Sequence, residues 1–169
     1  MTTPIIAIVG KSNSGKTTLV EKIVALLTRK GYVIGTAKHT HCGFDIDREG
    51  KDTWRHRKAG AGATLMVTDD EAVLVRNDTR IPEAKMETYL AGMDLIIAEG
   101  FKSRDLPKIE VFRTGSNHSM PLFMDPELNV ADTLAAFVTD SDYQAEVPVF
   151  GLDDADGVAE LIENRFLKG

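Results

Sequence analysis

Short apolar runs alternate along this chain with segments whose apolar residues recur at helical spacing. The run Ile5–Val9 is apolar throughout, which is typical of a strand buried on both faces. Residues 16–30 follow, with apolar side chains at positions 19, 20, 23, 24, 26 and 27. That spacing predicts a helix, and Gly31 after two basic residues predicts where the helix ends.

The same alternation continues to the C-terminal end. Further strands are predicted at 32–37, 63–68, 72–75, 94–100, 108–113, 135–139 and 147–150, and further helices at 53–58, 82–90 and 153–166. Strands that alternate with helices predict an α/β fold, with a mostly parallel twisted sheet and helices on both faces. The two strands around the Asp69-Asp70 turn would add a small antiparallel extension. At this length we expect a single domain over residues 1–169.

The residues between the first strand and the first helix read Gly-Lys-Ser-Asn-Ser-Gly-Lys-Thr, from Gly10 to Thr17. The pattern is that of the phosphate-binding loop, or P-loop. Amide groups at a helix N-terminus form a concave site for an anion, and glycines at 10 and 15 allow the tight turn. Lys16 is expected to bridge two phosphates, and the Thr17 hydroxyl to ligate Mg²⁺. The alternative is an ordinary glycine-rich turn.

Other residues of the loop complete the predicted phosphate site. Asn13 and Ser14 lie within the run whose amides would face the phosphates. Thr18 follows the motif, and its hydroxyl is expected to reach the α-phosphate.

Two acids flank the apolar core of the predicted strand at 94–100. Phosphates bind at the carboxyl ends of the strands in such sheets. Asp94 would lie at the other end, roughly 16 Å away at about 3.3 Å per residue. Glu99 is therefore the predicted acid of the magnesium shell, directly or through a water molecule. The alternative is a strand-end residue paired with Lys38 or Lys102.

The polar stretch that starts at Lys38 leaves the carboxyl end of the second predicted strand, on the phosphate side. It contains side chains that could ligate a metal or position water: His39, His41, Cys42, Asp45 and Asp47. Three interpretations stay open. They are a nucleotide-sensing loop that orders when the γ-phosphate and Mg²⁺ arrive, a zinc site, and a solvated surface loop.

Residues at the carboxyl end of the strand at 135–139 could determine which nucleotide base the protein binds. A carboxylate at Asp140 or Asp142 could accept hydrogen bonds from guanine N1–H and its exocyclic amine. The chain has no Asn-Lys-x-Asp motif, and a turn or helix cap is the alternative role.

Composition narrows the class of partner. The formal net charge of −6 argues against a general binder of nucleic acid or anionic membranes. A single cysteine excludes an internal disulfide and is consistent with a reducing cytosol. The run at 5–9 is too short for a signal peptide or a membrane span. We expect a cytoplasmic protein that binds neither nucleic acid nor membrane.

Several stretches taken together resemble the MobB family of molybdopterin-guanine dinucleotide biosynthesis adapter proteins. They are the P-loop at 10–17 and the segments 35–41, 50–53, 57–61 and 95–102. The Lys-His-Thr-His and Glu-Gly-Phe-Lys blocks are fairly specific to that family, whereas many families share the loop. The resemblance covers residues 5–113 well and the rest loosely.

The resemblance implies a P-loop NTPase of the SIMIBI-type branch, which includes signal-recognition GTPases, MinD and metallochaperones. Such a protein would bind GTP with Mg²⁺, hydrolyse GTP slowly and form a homodimer. It would assist the molybdopterin guanylyltransferase. Molybdopterin or its guanine dinucleotide is a further candidate ligand. By matching position, Gly15, Lys16 and Thr17 would hold phosphate and Mg²⁺, and Glu99 would be the Walker-B-type acid.

The resemblance places four further residues in the family's signature loop: Lys38, His39, His41 and Asp47. Lys38 and His39 are candidate cofactor-binding residues, and Asp47 joins Lys16 and Glu99 as a candidate catalytic residue. Cys42 stands where many relatives have histidine, which weakens a metal chelate.

Two alternatives of other classes remain. A small-molecule kinase would share the loop and the size but usually has an arginine-rich lid, and Arg55, Arg57, Arg76 and Arg80 are scattered. A GTP-dependent metallochaperone for nickel or zinc would use His39, His41 and Cys42.

Overall fold

The computed structural model describes residues 3–40, 48–76, 83–115, 120–128 and 130–168. Its strands are β1 (Ile5–Val9), β2 (Ile34–Lys38), β3 (Ala63–Val67), β4 (Ala72–Arg76), β5 (Leu95–Glu99), β6 (Lys108–Phe112), β7 (Leu134–Thr139) and β8 (Val149–Phe150). Its helices are α1 (Lys16–Arg29), α2 (Asp52–Lys58), α3 (Glu83–Tyr89) and α4 (Ala155–Ile162), with 3₁₀ turns at Leu122–Met124 and Ala131–Thr133.

The chain divides into two compact units. The first comprises Met1–His39 with Met86–Gly169, and the second comprises Thr40–Lys85. This division does not decide the expected single domain, which stays a prediction.

The first unit contains a six-stranded parallel sheet in the order β2-β5-β1-β6-β7-β8. Ile8 of β1 is in register with Glu99 of β5, and Val9 is in register with Glu110 of β6. Because all six strands run the same way, their carboxyl ends meet at one edge of the sheet. The predicted mostly parallel sheet is therefore confirmed. The loop that follows β1 starts between the ends of β5 and β6.

Side chains on the two faces of the sheet enter two separate cores. Ile6 and Ile8 face the layer of α1 and α4, whereas Ile5, Ala7 and Val9 face the opposite layer. The opposite layer is built by Met86 of α3 together with irregular and 3₁₀ segments. The continuous apolar run in β1 follows from this two-sided burial, since alternate residues point to opposite faces. Each fully buried isoleucine contributes about 1.5–3 kcal/mol.

The second unit carries α2 and a β3–β4 hairpin. The two strands pair antiparallel, from Ala63 opposite Arg76 to Val67 opposite Ala72. The Thr68 hydroxyl accepts hydrogen bonds from the amides of Asp70 and Glu71, which fixes the turn. The predicted antiparallel extension is confirmed.

The C-terminal helix departs from its predicted bounds. α4 ends at Ile162, and Glu163–Leu167 form a π-helical turn in which the Lys168 amide donates to the Glu163 carbonyl at 3.0 Å. The buried Glu163 carboxylate accepts from Lys30 Nζ at 2.6 Å, from Tyr32 at 3.1 Å and from Lys168 Nζ at 3.2 Å.

Hydrogen bonds lower the pKa of Glu163 from 4.5 to about 2. The bond from Lys30 has the largest effect, and those from Lys168 and Tyr32 have smaller ones. The folded-state pKa is depressed, so the carboxylate stabilises the fold above its ordinary pKa, and this contribution is lost as pH falls from about 4.5 towards 2. We expect Glu163→Gln to lower the thermal midpoint at pH 7 and to differ less from wild type at pH 3. Thermal unfolding followed by circular dichroism checks this. An equal difference at both pH values would contradict it.

None of the helices in the described ranges is long and apolar enough to cross a membrane.

Candidate functional site

The loop between β1 and α1 packs closely against the backbone of β6. Gly10 has φ of 148° and Gly15 has φ of 98°, in the region that favours glycine. A Cβ on Gly10 would lie 2.3 Å from the Val111 carbonyl oxygen and 2.8 Å from Ser14 Oγ. Position 10 therefore admits no side chain. Asn13, at the exposed tip of the loop, is also left-handed, with φ of 62°.

The N-terminus of α1 is open to a ligand. No side chain caps the helix at Gly15, and its first turn contains no acidic residue. The first amides of a helix have no acceptor within it, and they carry the positive end of the helix dipole. Ser14 is 2% exposed, and its Oγ has no hydrogen-bond partner among the described residues. An enclosed, unpaired hydroxyl at an uncapped helix start fits a bound polyphosphate.

Lys16 folds back over the loop, where its Nζ donates to the Lys11 carbonyl at 2.6 Å. Partial burial lowers the pKa of Lys16, whereas the charge of Glu99 acts in the opposite direction. Lys38 and Lys102 are near enough to lower the same pKa further. Several ammonium groups thus converge on the loop of a chain whose net charge is −6. Such a local excess of positive charge favours a multiply charged anion.

Thr17 and Glu99 meet at the carboxyl end of β5. The Thr17 hydroxyl donates to Glu99 Oε1 at 3.0 Å, and Lys38 Nζ lies 3.2 Å from the same oxygen. A hydroxyl and a carboxylate oxygen are ligands that Mg²⁺ prefers, so these two residues fit that ion. The predicted pair is brought together, and the alternative pairing of Glu99 with Lys38 is present as well.

The His39 ring packs against an aromatic side chain. The His39 amide donates to the Glu99 carbonyl at 2.9 Å, and its ring packs edge-on against Phe101 with centroids 5.5 Å apart. No group of three or more potential metal ligands occurs within the described ranges. His41, Cys42 and Asp47 lie outside those ranges, so their predicted roles stay predictions.

Asp140 follows β7 and fixes a neighbouring turn. Its Oδ1 accepts from the Thr114 amide at 2.7 Å, and this hydrogen bond lowers the pKa of the carboxyl group. The turn-capping role that the sequence left open is therefore present. Reading of a guanine base by Asp140 stays a prediction.

Arg113 is a site residue that the sequence did not indicate. It directly follows β6, and its Nη2 lies 3.6 Å from the Cβ position of Gly15. Only the strand order, which places the end of β6 beside the loop, would have revealed it.

A groove opens on the other side of the loop, between α1 and the edge strand β2. The end of the groove beside the loop is lined by Thr17, Lys38 and Glu99, and the rest is lined by residues of α1 such as Val20 and Val24. Its volume is ≈ 890 Å³, and its walls are mostly apolar. The groove therefore gives room for a further molecule beside the predicted magnesium site.

A family model described as molybdopterin guanine dinucleotide synthesis protein B, MobB, matches residues 5–140. This chain belongs to the MobB family. The matched span contains the loop, Glu99, Arg113 and Asp140, so the MobB model covers the whole candidate site. The resemblance stated from the sequence blocks is confirmed.

Relatives of the MobB family match nearly the whole chain. The molybdopterin-guanine dinucleotide biosynthesis adapter protein of Escherichia coli K12 is 32% identical over 94% of this chain and 91% of its own length. The protein of the same name from Haemophilus influenzae is 29% identical over 95% and 88%. The crystal structure of Bacillus subtilis MobB has a TM-score of 0.75, with 26% identity over 96% of this chain and 98% of that one. The predicted α/β P-loop architecture is therefore the architecture of MobB structures.

Proposed function

We propose that this MobB-family chain is a GTP-binding adapter in the biosynthesis of molybdopterin guanine dinucleotide, with weak Mg²⁺-dependent GTPase activity. The observation that carries the proposal is the uncapped loop at the start of α1, flanked by Lys16 and by the Thr17–Glu99 pair. The E. coli and H. influenzae relatives are adapter proteins of molybdopterin-guanine dinucleotide biosynthesis by name, which supports the pathway.

In this proposal the phosphates lie on the amides between residues 12 and 18. Lys16 transfers its hydrogen bond from the Lys11 carbonyl to the phosphates, and Lys38 faces them from the end of β2. Thr17 and Glu99 hold Mg²⁺, which when bound neutralises charge on the phosphate oxygens. Asp47 and His39 remain candidate residues for water positioning and nucleotide sensing.

Guanine selection is the finer part of the proposal. The Asp140 carboxylate lies at the carboxyl end of β7, and the Thr114 amide fixes its position. A base bound at that end of the sheet would meet an acceptor for guanine N1–H. Adenine has no donor at N1, so the same contact would discriminate against it.

We further propose that the chain forms a homodimer in the cytoplasm, as the single cysteine favours a reducing compartment. The β3–β4 hairpin supports self-association, since Leu65, Val67 and Leu74 are exposed large apolar side chains. Sedimentation velocity should give twice the chain mass at micromolar concentration, and a monomer would remove this part of the proposal.

Isothermal titration calorimetry tests the proposal as a whole. Titrations would compare GTP with ATP, each with Mg²⁺, in the presence and absence of a molybdopterin guanylyltransferase. We expect GTP to bind at least about tenfold more tightly than ATP. In a phosphate-release assay, hydrolysis of GTP should be far slower than the turnover of an ordinary enzyme. Binding of the guanylyltransferase should depend on the nucleotide. Rapid ATP turnover without a partner would contradict the adapter role.

The groove beside the magnesium site favours a second candidate function, phosphoryl transfer to a small molecule. The end of the groove beside the loop, where the γ-phosphate would lie, is lined by Thr17, Lys38 and Glu99. Incubation with γ-labelled GTP or ATP and candidate acceptors would reveal a labelled product. Label found only in inorganic phosphate would exclude the kinase role for those acceptors.

A further inference from the structure

A second cleft lies on the side of the loop away from Glu99. β5 and β2 flank β1 on one side, whereas β6, β7 and β8 follow on the other. Ser14, Gly15 and Thr18 line the cleft from the loop and α1, and Arg113 lines it from the end of β6. The loop therefore has two flanks of different chemistry, a carboxylate flank and a guanidinium flank.

The Arg113 guanidinium is placed close to the loop backbone. Its Nη2 lies 3.6 Å from the Cβ position of Gly15, so it approaches the glycine that begins the helix. The turn that carries it is fixed, because the next residue, Thr114, donates its amide to Asp140 Oδ1 at 2.7 Å. The charge of Arg113 also contributes to the lowered pKa of Asp140. The guanidinium thus lies between the loop and the predicted base-reading acid.

An independent observation indicates that this small cleft, whose volume is ≈ 40 Å³, receives a polar group of a ligand bound at the loop. Ser14 lines it, is 2% exposed, and has an Oγ without a hydrogen-bond partner in the described part of the chain. A buried hydroxyl without a partner is unfavourable unless a bound group supplies one. A second cation, Lys22, lines the cleft one turn further along α1. Its pairing with the fully exposed Asp153 at 3.5 Å is a weak one.

We propose that Arg113 binds the α-phosphate of the bound nucleotide and so distinguishes a nucleotide from inorganic pyrophosphate, which would fill only the β- and γ-positions. This inference rests on the proposed function. A triphosphate whose β- and γ-groups face Lys16, Lys38 and Glu99 must continue towards the opposite flank, where β6 and β7 end. A guanidinium can donate two parallel hydrogen bonds to phosphate oxygens, which Lys22 cannot do.

The test compares three ligands on Arg113→Gln: GTP, GDP and inorganic pyrophosphate, each with Mg²⁺, by calorimetry. We expect GTP and GDP to bind about 10- to 30-fold more weakly than to wild type, as for loss of a charged hydrogen bond. The affinity for pyrophosphate should change by less than about twofold, because pyrophosphate has no third phosphate to reach Arg113. Arg113→Lys keeps the charge without the planar fork and should recover only part of the affinity.

Arg165→Gln is the matched control, an exposed arginine near the C-terminal end whose guanidinium lies over the Phe166 ring. It should bind all three ligands as wild type does. An equal loss for pyrophosphate and GTP in Arg113→Gln would overturn the inference, since the residue would then act only through charge at the loop. Unchanged affinity for every ligand would overturn it too. Failure of wild type to bind GTP would instead refute the proposed function.

Discussion

Lys16→Ala is expected to weaken binding of Mg²⁺·GTP by about 100-fold. The ammonium group would bridge two phosphates, and two charge-assisted hydrogen bonds of about 1.5 kcal/mol each amount to that factor. In the free protein Lys16 Nζ donates a hydrogen bond to the Lys11 carbonyl at 2.6 Å. That bond closes the loop without supporting the core, so we expect the thermal midpoint to change little. Calorimetry and thermal unfolding of the same sample measure both quantities.

The control for this experiment is Lys168→Ala, which removes an exposed lysine that pairs with Glu163 at the end of α1 opposite the loop. We expect it to bind GTP as wild type does. A Lys16→Ala protein that is folded and retains wild-type affinity for GTP would show that the phosphates bind elsewhere.

Glu99→Gln is expected to lower Mg²⁺-dependent GTP hydrolysis by at least about tenfold while changing GTP affinity in EDTA by much less. Glutamine keeps the size of the side chain and can accept the Thr17 hydrogen bond, now 3.0 Å long. It loses the negative charge that would hold Mg²⁺ and that pairs with Lys38. Because Lys38 is mostly exposed, loss of this pair should cost little stability. Phosphate release assays over a Mg²⁺ titration measure the effect.

β5 offers a matched control for this substitution, since an acid flanks each end of the strand. Asp94 precedes β5, and its Oδ2 accepts from the Val33 amide at 2.7 Å. Asp94→Asn removes the same charge at the opposite edge of the sheet and should leave hydrolysis unchanged. Equal losses in both variants would mean that Glu99 acts through the net charge rather than as a magnesium ligand.

The sequence predicted the elements whose information is local. β1 and α1 follow from an apolar run and a helical spacing, and the loop between them follows from its glycines, since Gly10 has no room for a Cβ. The position of Glu99 beside the loop could also be predicted, because position along a parallel strand decides which end lies at the edge of the sheet that carries the loop. Arg113 could not, as its approach to Gly15 depends on β6 lying next to β1.

β6 shows a second limit of sequence patterns. Its charged and apolar residues alternate, which is typical of a strand with one exposed face. All five residues are in fact buried. Lys108 Nζ donates to the carbonyls of Arg104 and Leu106 and to the Thr133 hydroxyl, at 2.6, 3.1 and 2.6 Å. Two of these acceptors lie in an irregular segment and the third ends a 3₁₀ turn, so no periodicity could have indicated that the charge would be satisfied inside the protein.

Glu110 on the same strand has a comparable role. Its carboxylate accepts from the amides of Leu122 and Phe123 and so holds the 3₁₀ turn at Leu122–Met124 against the sheet. Burial raises the pKa of Glu110, and the two amide hydrogen bonds partly oppose that shift. The turn lies between the predicted strands at 108–113 and 135–139, where the sequence pattern indicated no element, and it forms because a buried acceptor satisfies its first amides.

A crystal structure with Mg²⁺ and a non-hydrolysable GTP analogue tests the central claim most directly. The account predicts phosphate density on the amides between residues 12 and 18, with Lys16 Nζ moved from the Lys11 carbonyl onto the phosphates and Thr17 Oγ1 bound to the metal. An empty loop, with Lys16 still bonded to Lys11 and nucleotide density at another surface, would contradict it.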